Sequence, residues 1–177
     1  DYICGCSSEG FVGMCRSRFN FTDAELEEEY RGWKEYIRSH APAPYPGIDR
    51  IIRRQKEEGG IICVVSMSSQ EKILRDYRMH FGIEPDEIYG WDLAEEHRKP
   101  SPYALEQLMK KHGFTPDQLL VVDDMQPAWQ MARAAGSPVA FAGWGRKEFP
   151  SIYQEMNRLC DFTFDTTEAL ERYLFEE

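Results

Sequence analysis

Two short runs of uninterrupted apolar residues, Ile61-Ile62-Cys63-Val64-Val65 and Leu119-Leu120-Val121-Val122, constrain the fold of this chain more than any other feature. A strand with one face in water alternates polar and apolar side chains, whereas a strand covered on both faces can be apolar throughout. Both runs sit between segments of helical periodicity. Ile48, Ile51 and Ile52 mark a helix that Gly59-Gly60 ends, and Ser68 and Glu71 cap another that carries Ile73, Leu74, Tyr77 and Phe81. A short strand near Glu87–Trp91 and a helix from Tyr103 to His112, closed by Gly113, lead to the second run. Beyond it come a helix over Gln126–Ala135 stopped by Gly136, then strands over Pro138–Ala142 and Phe162–Phe164. Thr166 starts a closing helix through Leu170, Tyr173 and Leu174. The alternation predicts an α/β fold, with one parallel sheet in a three-layer arrangement and helices on both faces.

The chain changes character at Ala41-Pro42-Ala43-Pro44-Tyr45-Pro46-Gly47. Before it, Thr22 and Glu25 form a capping box, and Leu26, Tyr30, Trp33 and Ile37 share one helical face that ends near Ser39. The segment Asp1–Asn20 follows neither the helical nor the strand period. Residues 1–42 therefore read as a helical lobe and residues 43–177 as the α/β core.

The charge balance excludes some partners. With 21 basic and 31 acidic residues the chain carries −10, and no run of Lys or Arg reverses that locally. Such a surface repels nucleic-acid backbone and anionic membrane. A phosphate-bearing ligand then needs a local positive centre: a lysine, a helix start or a bound cation. The five cysteines are odd in number, and Cys4-x-Cys6 has no neighbouring His or second pair to complete a zinc site. They read as reduced thiols, with Cys63 a small hydrophobe. No stretch reaches the ~20 apolar residues of a membrane span and no basic-then-apolar leader opens the chain, so the expected location is cytoplasmic.

In an open parallel sheet, ligands bind beyond the carboxyl ends of the strands. The first run ends at Ser66-Met67-Ser68, the second at Asp123-Asp124, and His97-Arg98-Lys99-Pro100 lies in the connection between them. A hydroxyl, an ammonium group and a carboxylate pair at one rim suit phosphoryl chemistry. Ser66 leads toward a helix start, so its hydroxyl and the backbone amides from Met67 onward can donate to phosphate oxygens. Lys99 supplies a point charge. Two adjacent carboxylates at a buried strand end repel each other, and a divalent cation such as Mg²⁺, sharing its coordination with phosphate and water, relieves that repulsion. Taken singly, each residue also has an ordinary reading: Ser66 as a helix cap, Lys99-Pro100 as a solvated loop, one aspartate as the cap of the next helix. His97 fits a proton donor or a plain loop histidine. The three features in order, at successive connections of one sheet, point to a shared anion site.

At these residues the chain resembles the haloacid dehalogenase superfamily of phosphatases and phosphomutases, within it the phosphoglycolate phosphatase and beta-phosphoglucomutase-like members. Ile61–Ser68 is similar to the second motif of that family, a strand ending in Ser or Thr, and Arg98-Lys99-Pro100-Ser101-Pro102 to the third. Leu119–Gly136, reading Leu-Leu-Val-Val-Asp-Asp and closing on Ala-Arg-Ala-Ala-Gly, resembles the fourth, and Gly143-Trp144-Gly145 the loop after the next strand. The resemblance implies a Rossmann-like core with a cap lobe that is partial in this chain. It also implies an Mg²⁺-dependent phosphohydrolase that acts on a small phosphorylated metabolite through an aspartyl-phosphate intermediate. Carried over, Ser66 with the neighbouring Met67 binds the phosphate, and Lys99 joins nucleophile and phosphoryl group. Asp124 binds Mg²⁺, with Asp123 assisting through water.

The chain departs from the family pattern in three places. Ala128 stands where some members carry a further acidic residue, and Met125 where Ser is frequent. The first motif, an apolar strand followed by Asp-x-Asp-Gly, has no match, so the resemblance implies that the nucleophile lies upstream of Asp1. A phosphomutase and a non-catalytic binding domain of the same fold stay open as alternatives. A receiver-type switch fits less well, because its acidic pair comes first in the chain and here the pair comes last.

Overall fold

The computed structural model describes residues 2–40 and 42–176. Two helices come first, α1 (Tyr2–Phe19) and α2 (Asp23–Ser39). Then follow α3 (Ile48–Glu57), β1 (Cys63–Val65), α4 (Gln70–Phe81), β2 (Glu87–Tyr89) and α5 (Tyr103–His112). The remainder is β3 (Val121–Asp123), α6 (Gln126–Ala135), β4 (Val139–Ala142), α7 (Pro150–Leu159), β5 (Phe162–Phe164) and α8 (Thr167–Phe175). Every strand pairing is parallel, as the helix–strand alternation requires.

Three layers follow from the pleat of the strands. In β4, Val139 packs with Ala104 and Leu105 of α5 and Met131 and Ala132 of α6, while Ala140 turns to the opposite face, against Ile51 of α3 and Leu170 of α8. Phe141 turns back and meets Ile152 and Met156 of α7. Successive side chains thus serve opposite faces of one covered strand.

The single sheet expected from the sequence is divided among the described residues. β1 pairs with β2, and β3, β4 and β5 form a separate sheet in that order. Between β1 and β3 runs an apolar cleft of about 690 Å³, lined by Val65, Val121 and Val122 from the strands and by Ile51, Leu105 and Met131 from the two helical layers. Folded interiors tolerate few voids larger than a water molecule. The cleft explains why the two apolar runs are less covered than their composition predicts: β1 is half-buried and Val122 is 40% exposed.

Other differences are local. Asp1–Asn20, which has no clear period, is largely the helix α1, bent at Gly10 where φ is +73°. Only glycine takes that backbone conformation without strain. The period is lost because α1 is apolar on several sides. Ile3 and Cys4 pack against the Phe141 cluster, whereas Met14 and Cys15 pack with Leu26 of α2. Helix α4 is capped by Ser69, whose hydroxyl accepts from the Lys72 amide at 3.4 Å, rather than by Ser68. Helix α7 adds to the elements expected from the sequence; Pro150 at its start and Ile152, Met156 and Leu159 at helical spacing mark it. The capping box of α2 is present as expected.

Phe141 has no exposed surface and meets Tyr153 edge-on at 5.4 Å. Phe141→Ala should lower the unfolding free energy by about 3–5 kcal/mol, read as a shift of the urea midpoint at unchanged slope.

Candidate active site

Asp123 is the most constrained carboxylate at the rim of the cleft. As the last residue of β3 it directs one oxygen at the turn into α6, where Oδ1 accepts from the amides of Asp124 at 2.8 Å and Met125 at 2.9 Å. Its Oδ2 accepts from Lys99 Nζ at 2.9 Å. Both partners are mostly out of water, with side-chain exposures of 13% for Lys99 and 18% for Asp123. Lys99 lies in the connection that leaves the carboxyl end of β2, so this bond shows that the carboxyl ends of both sheets open onto the same rim.

That connection is itself fixed. The Arg98 guanidinium lies 4.0 Å above the Trp91 ring, and its Nε donates to the Leu93 carbonyl at 2.8 Å. Tyr30 of α2 stacks on Trp91 at 4.3 Å between centroids. His97 stacks on Tyr103 at 4.0 Å, and among the described residues no hydrogen bond joins its ring to the carboxylates.

Asp124, the next residue, is placed differently. Its Oδ2 meets Arg146 Nη2 at 2.7 Å. Arg146 follows the turn Gly143–Gly145 that leaves β4, and its side chain is 16% exposed. Burial is the main cause that raises the Asp124 carboxyl above its ordinary value, and the Asp123 charge adds to it, while Arg146 and Lys99 offset part. Gly145 lies close beside this pair: a Cβ there would stand 3.0 Å from Tyr45 Oη, tighter than ordinary contact, and 3.7 Å from Asp124 Oδ2. Arg146 was missed at the level of sequence. The signal was its position, directly after Gly143-Trp144-Gly145 at the carboxyl end of a strand.

Ser66 sits at the other side of the cleft, immediately after Val65, which lines it. Its amide donates to the Tyr89 carbonyl at 3.0 Å, and its hydroxyl accepts from the Ser68 amide at 3.1 Å. The residues Ser66, Met67 and Ser68 form a turn before α4 rather than its first helical turn. Among the described residues no hydrogen bond joins Ser66 to Lys99, Asp123 or Asp124. The structure therefore brings Lys99, Asp123, Asp124 and Arg146 into one cluster, with Ser66 and Met67 across the cleft.

No group of three or more His, Cys, Asp or Glu side chains able to hold a metal occurs among the described residues. Both oxygens of Asp123 are engaged, so this chain offers chiefly the Asp124 carboxylate. That suits a hard cation such as Mg²⁺, which binds through one or two carboxylates and takes its other ligands from phosphate and water.

Because the folded state disfavours ionised Asp124, its contribution is most favourable below its ordinary pKa and is lost as pH rises through the raised value. Asp124→Asn should therefore raise the melting temperature of the chelator-treated protein at pH 7. The gain should shrink as pH falls through the raised value and vanish below the ordinary carboxylate range, where the parent carboxyl is protonated in the folded and the unfolded chain alike.

Comparisons with known proteins point to a family and a fold. A family model described as haloacid dehalogenase-like hydrolase matches residues 8–142. A phosphoglycolate phosphatase of Aliivibrio fischeri is 30% identical over 116 residues, which cover 64% of this chain and 48% of the relative. The chain thus spans about half the length of that curated relative. Among solved structures, a hydrolase from Pseudomonas syringae aligns with a TM-score of 0.72 at 19% identity, covering 96% of this chain and 78% of its own. CbbY from Rhodobacter sphaeroides, solved in complex with phosphate, aligns with a TM-score of 0.64 at 21% identity, covering 84% and 67%. At such identities the solved structures speak to the fold alone. No helix among the described residues is long and apolar enough to cross a membrane.

Proposed function

The chain belongs to the haloacid dehalogenase-like hydrolases, and from that premise we propose that it forms part of an Mg²⁺-dependent phosphatase acting on a small phosphorylated metabolite. The observation that carries the reading is the Lys99–Asp123 bond of 2.9 Å at the cleft rim, with the Asp124 carboxylate beside it. An ammonium group held there places fixed positive charge where a phosphoryl group enters, on a protein whose net charge is −10. The similarity to a phosphoglycolate phosphatase supports a small anionic substrate.

In this reading each residue has one task. Lys99 faces the phosphoryl oxygens and offsets charge as it builds up in the transition state. The Ser66 hydroxyl and the Met67 amide donate to the phosphate from the opposite side of the cleft. Asp124 holds the cation, and Asp123 fixes Lys99 and the turn that carries Asp124. Bound Mg²⁺ supplies Lewis-acid stabilisation of the phosphoryl oxygens. The nucleophilic aspartate is carried by a strand that fills the apolar cleft between β1 and β3, pairing with both free strand edges. Attack by that carboxylate on phosphorus breaks the ester P–O bond and releases the substrate alcohol, leaving an aspartyl-phosphate; water then attacks this phosphorus, regenerates the carboxylate and releases inorganic phosphate.

The full-length protein should hydrolyse p-nitrophenyl phosphate in Mg²⁺. Lys99→Ala and Asp124→Asn should each lower kcat/KM by on the order of 10²-fold or more. Undiminished Mg²⁺-dependent turnover in both variants would end the proposal.

A further inference from the structure

The two carboxylates at the rim are held unequally. Asp123 accepts two backbone amides and an ammonium, and each of its oxygens is occupied. Among the described residues Asp124 has a single side-chain partner, Arg146, at 2.7 Å. Arg146 in turn is incompletely used. Nη2 goes to Asp124, Nη1 donates to the Gly145 carbonyl at 3.4 Å, and Nε is buried with no hydrogen-bond partner among the described residues. A buried guanidinium with a purely architectural role normally has its donors satisfied. One that leaves Nε unpaired loses less when it turns away.

We infer that Arg146 is a resident counter-ion for Asp124: it occupies the carboxylate oxygen that a divalent cation needs, and cation binding requires it to let go. The inference rests on the reading of Asp124 as the cation-binding carboxylate and adds a residue that sets cation affinity. Its physical basis is direct competition. A guanidinium at hydrogen-bond distance screens the carboxylate charge from an incoming cation, and its own charge repels that cation at short range. Arg146 is therefore a positioning residue: it keeps Asp124 charge-compensated while no cation is present, at the expense of cation affinity. The turn that carries it contains Gly143 and Gly145, and Phe149 offers its ring face 5.9 Å from the guanidinium carbon.

The test measures binding without turnover. Mn²⁺ is titrated into the full-length protein, and free Mn²⁺ is read by electron paramagnetic resonance with no substrate present. Arg146→Gln should bind Mn²⁺ on the order of 10-fold more tightly than the parent. Arg146→Lys, whose ammonium lacks the reach and fork of the guanidinium, should fall between the two. Melting curves in chelator verify folding, and if the Gln form does not fold, the Lys form alone decides. Unchanged or weaker binding in the folded variants overturns the inference, while the Asp124 reading survives. A parent that binds no Mn²⁺, or an Asp124→Asn form that binds as well as the parent, sinks the Asp124 reading itself and is distinguishable from the first failure.

Discussion

Three hydrogen bonds converge on the carboxylate of Asp123, and the arrangement of the rim depends on them. Two come from the amides of the turn into α6, and the third comes from Lys99, which arrives from the sheet on the other side of the cleft. A β-strand ending in aspartate would otherwise leave a charge in a mostly covered position, and removing one partner of such a pair costs about 3–5 kcal/mol. The pair is therefore a fixed point. It sets the direction in which the chain leaves β3, and hence where the Asp124 carboxylate and the Arg146 guanidinium meet.

Electrostatics gives the two neighbouring aspartates different characters although they share a sequence environment. Asp123 is saturated with donors and behaves as part of the scaffold. Asp124 is raised toward its neutral form by burial and by the adjacent charge, and its single guanidinium partner compensates only in part. A site of this kind concentrates positive charge from Lys99 and Arg146 within a strongly acidic protein. Long-range repulsion of polyanions and short-range attraction of one small phosphate are thereby compatible, because solvent screens the first over about 8–10 Å and barely touches the second.

Much of the architecture was legible in the sequence because it rests on local rules. The apolar runs, the Gly113 and Gly136 helix ends and the Thr22–Glu25 capping box were all readable from types and spacings. The rim was legible in part: Lys99, Asp123 and Asp124 follow from strand order. Their pairing does not, since it depends on which of two adjacent carboxylates the ammonium reaches. Arg146 is distant in sequence from Asp124 and was hidden for the same reason. Helix α1 escaped because its apolar residues serve several partners in different directions, which erases the periodicity that one buried face produces.

That same bent helix has a mechanical consequence. The turn at Gly10 lets one continuous segment anchor at its beginning in the Phe141–Ile152–Met156 cluster and at its end in the Met14–Cys15–Leu26 cluster. Neither cluster can be dismantled without pulling on the backbone that helps to build the other. The amino-terminal helix pair and the sheet layers thereby share one backbone anchor, the arrangement that favours their losing structure together rather than in succession.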